Sequence, residues 1–208
     1  MKTIALNFLL FTILVVPNMA SAQDRMPPIP AGKLTEEQKK AVADFVAARN
    51  APLGGPFIPM LRSPEVMSRA RAMGDFLRYK SSLPPRLSEF VILMTARQWT
   101  QQYEWNTHYD IAIKAGVKLE VAKAIAEGRR PDGLAEDEQI LYDFCSELQH
   151  NRSITDATYA RMLSKFGEPG VIDTVGIVGY YSLLAMMLNT ARTPAETGSA
   201  PILAPFPR

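Results

Sequence analysis

Sulfur and imidazole are scarce in this chain: its 208 residues include one cysteine, Cys145, and two histidines, His108 and His150. A lone cysteine can form neither an internal disulfide nor a Cys-x-x-Cys pair, so dithiol redox chemistry within the chain is excluded. Its neighbours Leu141, Tyr142 and Phe144 read as a packed helix face and predict a buried, inert thiol. An excess of charge is missing too. Twenty-three Lys and Arg against 21 Asp and Glu leave a net +2, which gives no reason to expect nucleic acid as a partner. No segment alternates cleanly enough to be a strand, and no internal repeat is evident.

Long apolar runs are equally rare. Ile4 to Val16 extends for about 13 residues, short of the roughly 20 that a spanning helix needs. Lys2 precedes it, Pro17 ends it, and Ala20-Ser21-Ala22 supplies small residues before Gln23. That layout predicts a signal peptide over residues 1–22, cleaved on export, with the mature protein periplasmic and free of the membrane. No later stretch reads as membrane-spanning. Cleavage leaves 186 residues at net +1, the size of one domain with a full core.

What is present is helical. Pro27, Pro28 and Pro30 mark an extended leader over residues 23–34, and an all-helical domain is expected over 35–194. Thr35 to Gln38 forms a capping box ahead of Ala41, Val42, Phe45 and Val46 at helical spacing. Ala51 to Pro59 reads as a loop from its proline and glycine. Ser63-Pro64-Glu65 starts a helix that should run to about Lys80, with the serine as its cap. Pro84-Pro85 opens a helix apolar on most of its girth, which belongs in the middle of the core. Further helices are expected from about Gln101 to Ala115, stopped by Gly116, and from Leu119 to Glu127, stopped by Gly128. Ala135 to Gln149, Thr155 to Phe166 and Gly170 to Leu188 complete seven or eight helices. Residues 195–208 form a proline-rich tail expected to wrap a surface or a neighbour.

The informative polar groups sit inside apolar segments. Glu89 lies between Leu87 and Phe90, where an ionised carboxylate is costly unless paired. Glu104 and His108 are four residues apart on the next helix and share one face. Antiparallel packing of the two helices would bring Glu89 to the same place. Two carboxylates and an imidazole in a pocket lined by Tyr103, Trp105 and Tyr109 can move protons without a cofactor. The plain structural alternative is a satisfied buried ion pair that positions the helices. A three-ligand metal site is a further alternative, although the Glu-x-x-His spacing of ferritin-like sites is missing. His150 reads as a helix-end cation.

Pro85 to Leu93, followed by Tyr103-Glu104-Trp105-Asn106-Thr107-His108 and Ala112 to Val117, resembles the carboxymuconolactone decarboxylase family. The resemblance extends over roughly residues 55 to 194 and continues at Asp156 to Tyr159 and Gly179 to Leu183. It implies an all-helical subunit that assembles as a homo-oligomer, a trimer or a multiple of one, with its acidic and histidine residues in a pocket. The same superfamily includes alkyl hydroperoxidase D-like proteins, which are similar in having a glutamate followed nineteen residues later by a histidine, the interval between Glu89 and His108. In that branch a Cys-x-x-Cys pair lies between the two; the matching positions here are Gln101 and Glu104, which form no thiolate. The resemblance therefore implies a cofactor-independent lyase or isomerase with no metal, acting on a small lactone or unsaturated acid. His108 would donate the proton, Glu104 would orient it, and Glu89 would act as second acid or relay. Arg86 could grip a substrate carboxylate, and Tyr103, Trp105 and Tyr180 could contact the substrate. A non-catalytic binding protein of the same fold is the remaining alternative.

Overall fold

The computed structural model describes residues 23–195 and 198–204. The expected signal peptide lies outside them. Eight α-helices and no strands occur among the described residues: α1 (Glu36–Arg49), α2 (Phe57–Met60), α3 (Pro64–Tyr79), α4 (Pro85–Gln98), α5 (Gln102–Ala115), α6 (Leu119–Ala126), α7 (Glu136–Asn151) and α8 (Asp156–Ala191).

Local chemistry sets most of the boundaries. Thr35 caps α1 by accepting from the Gln38 N–H, while the Gln38 side chain reaches back to the Thr35 N–H. Gly116 closes α5 at φ 105°, a conformation that costs glycine little and other residues more. Ser63, expected as a side-chain cap for α3, makes no such bond, and Pro64 at the first turn pre-sets the backbone instead. The segment from Ala51, read as an open loop, turns into α2 at Phe57 and buries Phe57, Pro59 and Met60. Tertiary packing overrides turn composition there: the Phe57 ring meets Phe45 of α1 at 4.9 Å.

α4 is the central helix and packs against α3, α5, α6, α7 and α8. Its Leu87, Phe90, Val91, Ile92 and Leu93 are all buried, as the wide apolar girth requires. α8 holds the two helices that the sequence separates, joined across a break at Gly167 (φ 66°, ψ 178°) just before Pro169. Contrary to the sequence reading, α8 has a stretch apolar and long enough to cross a membrane by composition alone. Its scattered Thr, Ser and Tyr hide that stretch from a search for unbroken runs, and half of it is buried inside the bundle. α3 and α8 cross closely at two glycines. A Cβ at Gly74 would lie 2.2 Å from the Tyr180 hydroxyl, and one at Gly176 would lie 2.9 Å from Leu77.

Both ends of the described residues are tied to the bundle. The Arg25 N–H donates to Ala191 O at 2.7 Å, and Arg62 donates to Pro27 O. The tail wraps its own chain: Leu203 is buried and its N–H donates to Gln102 Oε1, while the Ser199 hydroxyl bonds Asp110.

Arg86 is placed by α7 and not by any pocket. It pairs with Asp137 at 2.6 Å and with the buried Glu138, whose other carboxylate oxygen accepts from the Ala135 N–H. Replacing Arg86 with Met is expected to leave Glu138 as an uncompensated buried charge and to cost about 2–3 kcal/mol. Urea denaturation reads this directly, and Glu138→Gln in the Arg86→Met background should recover part of the loss. An unchanged midpoint in Arg86→Met would disprove this structural role.

Candidate active site

The turn between α4 and α5 determines which residues face one another. The chain reverses through Thr100 at φ 46°, a costly conformation for a β-branched residue. The Gln101 N–H then bonds Ala96 O at 2.8 Å. The Gln101 side chain accepts from the Tyr103 N–H at 2.7 Å and donates to Asn189 of α8, also at 2.7 Å. α5 is thereby fixed to both α4 and α8 at its first residue. In this register His108 of α5 lies beside Glu89 of α4.

Glu89 Oε2 lies 2.7 Å from His108 Nδ1, and both side chains are nearly inaccessible, at 5% and 2% exposed. Glu104 stands on the other side of the imidazole, its Oε2 3.7 Å from Nε2, beyond hydrogen-bond length. The three residues thus come together, but the orienting contact comes from Glu89, where Glu104 was expected to supply it. Glu104 instead faces the cavity along with His108. Burial raises its carboxyl above the usual range, while the positive charges of His108 and Arg78 pull the other way. Tyr181 of α8 meets the imidazole edge-on, with ring centres 5.0 Å apart, and Tyr180 meets Tyr181 edge-on at 5.3 Å. Burial lifts the Tyr180 hydroxyl to about 12 and Tyr181 well above its ordinary value, so both remain neutral phenols near pH 7.

Of these groups His108, Glu104, Tyr180 and Tyr181 line a cavity of about 680 Å³ between α1, the segment leading into α2, α3, α5 and α8, while Glu89 does not. Tyr103 and Tyr180 line it, as expected. Trp105 and Arg86 do not. Trp105 is fully buried against Tyr109, with ring centres 5.7 Å apart, and its indole N–H has no acceptor among the described residues. The reason is helical phase: positions 103, 104, 107 and 108 share one side of α5, while 105 and 109 point to the other. Arg86 sits near the first turn of α7, where Asp137 and Glu138 hold its guanidinium.

Several lining residues carry no readable sequence signal. Arg49 bonds Asp75 through Nε at 2.9 Å and Nη2 at 2.8 Å, and Arg71 bonds the other oxygen of Asp75 at 2.7 Å. The Arg49 guanidinium also lies over Phe57 at 4.6 Å and bonds Tyr180. Arg78 and Lys80 add two more cations to the lining. Only Arg71 and Asp75 are paired by local spacing; Arg49 joins them from 26 residues away.

Cys145 is fully buried on α7, and burial pushes its thiol up to about 12. His150, in the last turn of α7, uses Nδ1 to bond Ser146 O at 2.8 Å and lies outside the cavity. Among the described residues no group of three His, Cys, Asp or Glu side chains is arranged to hold a metal. Glu89 and Glu104 approach opposite nitrogens of one ring, so their oxygens do not converge on a common point.

No family model matches the sequence, and no curated protein does. Solved structures do match. The alkylhydroperoxidase AhpD core of an uncharacterized peroxidase-related protein from Ralstonia eutropha JMP134 aligns with a TM-score of 0.66 at 16% identity, covering 83% of this chain and 92% of that one. A variant of the debrominase Bmp8 in complex with 2,3,4-tribromopyrrole aligns at 0.65 with 12% identity, over 85% and 94% of the two chains. The apo form of Bmp8 aligns at 0.63 with 12% identity, over 82% and 91%. At such identities the likeness is one of fold, and the chain has the all-helical fold of the alkylhydroperoxidase AhpD core.

Proposed function

We propose that the protein is a cofactor-independent enzyme of the carboxymuconolactone decarboxylase type, moving a proton on a small lactone or unsaturated carboxylic acid. The observation that carries this reading is the Glu89–His108 contact, made by a histidine that lines the cavity. An ionised carboxylate can only accept, so Glu89 holds the Nδ1–H tautomer and leaves Nε2 to exchange a proton. As imidazolium, His108 gives its Nε2 proton to carbon; as neutral imidazole, it takes one. In a decarboxylation, the bond from the reacting carbon to the carboxyl group breaks and its electron pair enters a conjugated enolate. Carbon dioxide leaves, and the Nε2 proton then quenches the enolate. Glu104, buried 3.7 Å from Nε2 with its carboxyl raised, stabilises the imidazolium when ionised. The plain structural alternative is weaker because His108 and Glu104 line a cavity, which a purely structural ion pair does not need.

Thiol chemistry has no support in this reading, because the one sulfur is buried and its thiol is raised to about 12. His108→Ala should lower turnover by about 10²–10⁴-fold, whereas Cys145→Ser should leave it unchanged. Both variants would be checked for native helicity and assayed on a panel of lactones and unsaturated acids, with a hydroperoxide as control. Full turnover in His108→Ala, or hydroperoxide turnover that disappears in Cys145→Ser, would overturn the assignment.

Glu104 also links stability to pH. Its folded carboxyl is raised above the ordinary 4.5, so the native state binds more protons than the unfolded chain above that pH. Its stabilising contribution is full below pH 4.5 and is lost as pH rises through the folded value. Melting curves of wild type and Glu104→Gln from pH 4 to 8 should therefore diverge in favour of the variant as pH rises. A gap that closes with rising pH would contradict the assigned direction.

Export and self-association are proposals alongside this one. Residues 1–22 support cleavage before Gln23, and exposed Phe76, Tyr79 and Ile172 offer apolar surface for a homo-oligomer. Light scattering of the mature protein should show a trimer or a multiple of one, and a strict monomer at micromolar concentration would dismiss self-association.

A further inference from the structure

We propose that Arg78 is the carboxylate anchor of this cavity, which therefore selects small, flat monocarboxylic acids. The inference deepens the proton-transfer reading by naming the substrate class, and its binding test is independent of turnover.

The cavity wall presents four cations, Arg49, Arg71, Arg78 and Lys80, against the carboxyl groups of Asp75 and Glu104. They are not equivalent. Arg49 and Arg71 both close on Asp75, so their forks are occupied. Lys80 is exposed at the end of α3. Arg78 is half-buried and has no carboxylate within ion-pair distance among the described residues. Its close neighbour is the Tyr79 ring, with the guanidinium carbon 5.5 Å from the ring centre. Its charge nevertheless reaches Glu104 and Tyr181, the groups that surround His108. A guanidinium that lines a cavity, with its charge felt by those groups, is suited to hold a carboxylate in two parallel hydrogen bonds.

The rest of the lining limits what can be attached to that carboxylate. Phe57, Tyr103, Tyr180 and Tyr181 provide rings for a flat, unsaturated body. Asp75 is already answered by Arg49 and Arg71, so Glu104 is the carboxyl that would repel a second negative charge, which disfavours dianions such as phosphate esters. With its carboxylate on Arg78, the body of the ligand lies between the anchor and His108. The guanidinium expected to do this from the sequence, Arg86, is held by Asp137 and Glu138 away from the cavity.

The test is calorimetric titration of the mature protein near pH 7 with benzoate, benzamide and phenyl phosphate. Wild type should bind benzoate at least about 10-fold more tightly than benzamide, which has the same shape without the charge. Arg78→Gln should bring benzoate down to the benzamide level, Arg78→Lys should keep part of the preference, and Arg86→Gln, if folded by circular dichroism, should keep all of it. Absence of saturable benzoate binding up to about 10 mM would overturn the proposal. So would equal binding of benzoate and benzamide by wild type, unchanged benzoate affinity in Arg78→Gln, or tighter binding of phenyl phosphate. Turnover separates the two ideas. If no acid reacts while benzoate binds through Arg78, the proton-transfer reading fails alone. If acids react and kcat/KM is unchanged in Arg78→Gln, the anchor fails alone.

Discussion

A carboxylate buried in the central helix has to be answered by a partner, and His108 is that partner. Burial of an ionised Glu89 without one would cost several kcal/mol, a large part of what keeps a domain folded. The pairing therefore constrains everything around it. α4 and α5 must lie in one register, the turn through Thr100 must accept a positive φ, and α8 must bring Tyr181 against the exposed edge of the ring. The same constraint suits the ring to the proposed proton transfer. A histidine held at Nδ1 by an acceptor has one tautomer and a second nitrogen without that bond, and this histidine lines a cavity.

The second constraint is space. The cavity exists because α3 and α8 cross closely at Gly74 and Gly176, which lets the Tyr180 ring sit where a side chain on α3 would otherwise be. Tyr180 is then fixed by Arg49, Arg49 by Asp75, and Asp75 by Arg71 as well. This chain of contacts joins α1, α3 and α8 around the mouth of the cavity. It also explains why a segment rich in proline and glycine is ordered: Phe57 lies under the Arg49 guanidinium, and Gly55, at φ 54°, lies against the Tyr103 ring. The polar network and the packing of the short helix α2 support each other.

Much of the core of the site is legible in the sequence, and the rim is not. Glu89, Glu104 and His108 are visible because polar residues at helical spacing inside apolar segments are anomalous without a partner. The helices are visible for related reasons: caps, prolines at first turns and glycines at exits are local signals. Trp105 was misplaced because it adjoins Glu104 in sequence, and on a helix adjacent residues point about 100° apart. Arg86 lies one turn before Glu89 on α4, yet Asp137 and Glu138 of α7, distant in sequence, hold it away from the cavity. Arg49, Asp75 and Arg78 belong to amphipathic surface helices, where a charge is unremarkable until tertiary structure turns it inward. No periodicity announces that.

The fold itself leaves the chemistry open, since one architecture accommodates different sites. What narrows it here is the fate of the turn that starts α5. The two positions that the resemblance equates with a cysteine pair are Gln101 and Glu104, and each has another task. Gln101 ties α5 to its own backbone and to Asn189, a role that needs both a donor and an acceptor and that a thiol fills poorly. Glu104 places a carboxyl with a raised pKa beside His108 at the cavity wall, where a sulfur nucleophile would otherwise stand. A chain that had simply lost its thiols would be expected to fill those places with small or apolar residues. Here a structural link and a second acid occupy them, and both fit the proton transfer proposed at the ring that Glu89 holds in place.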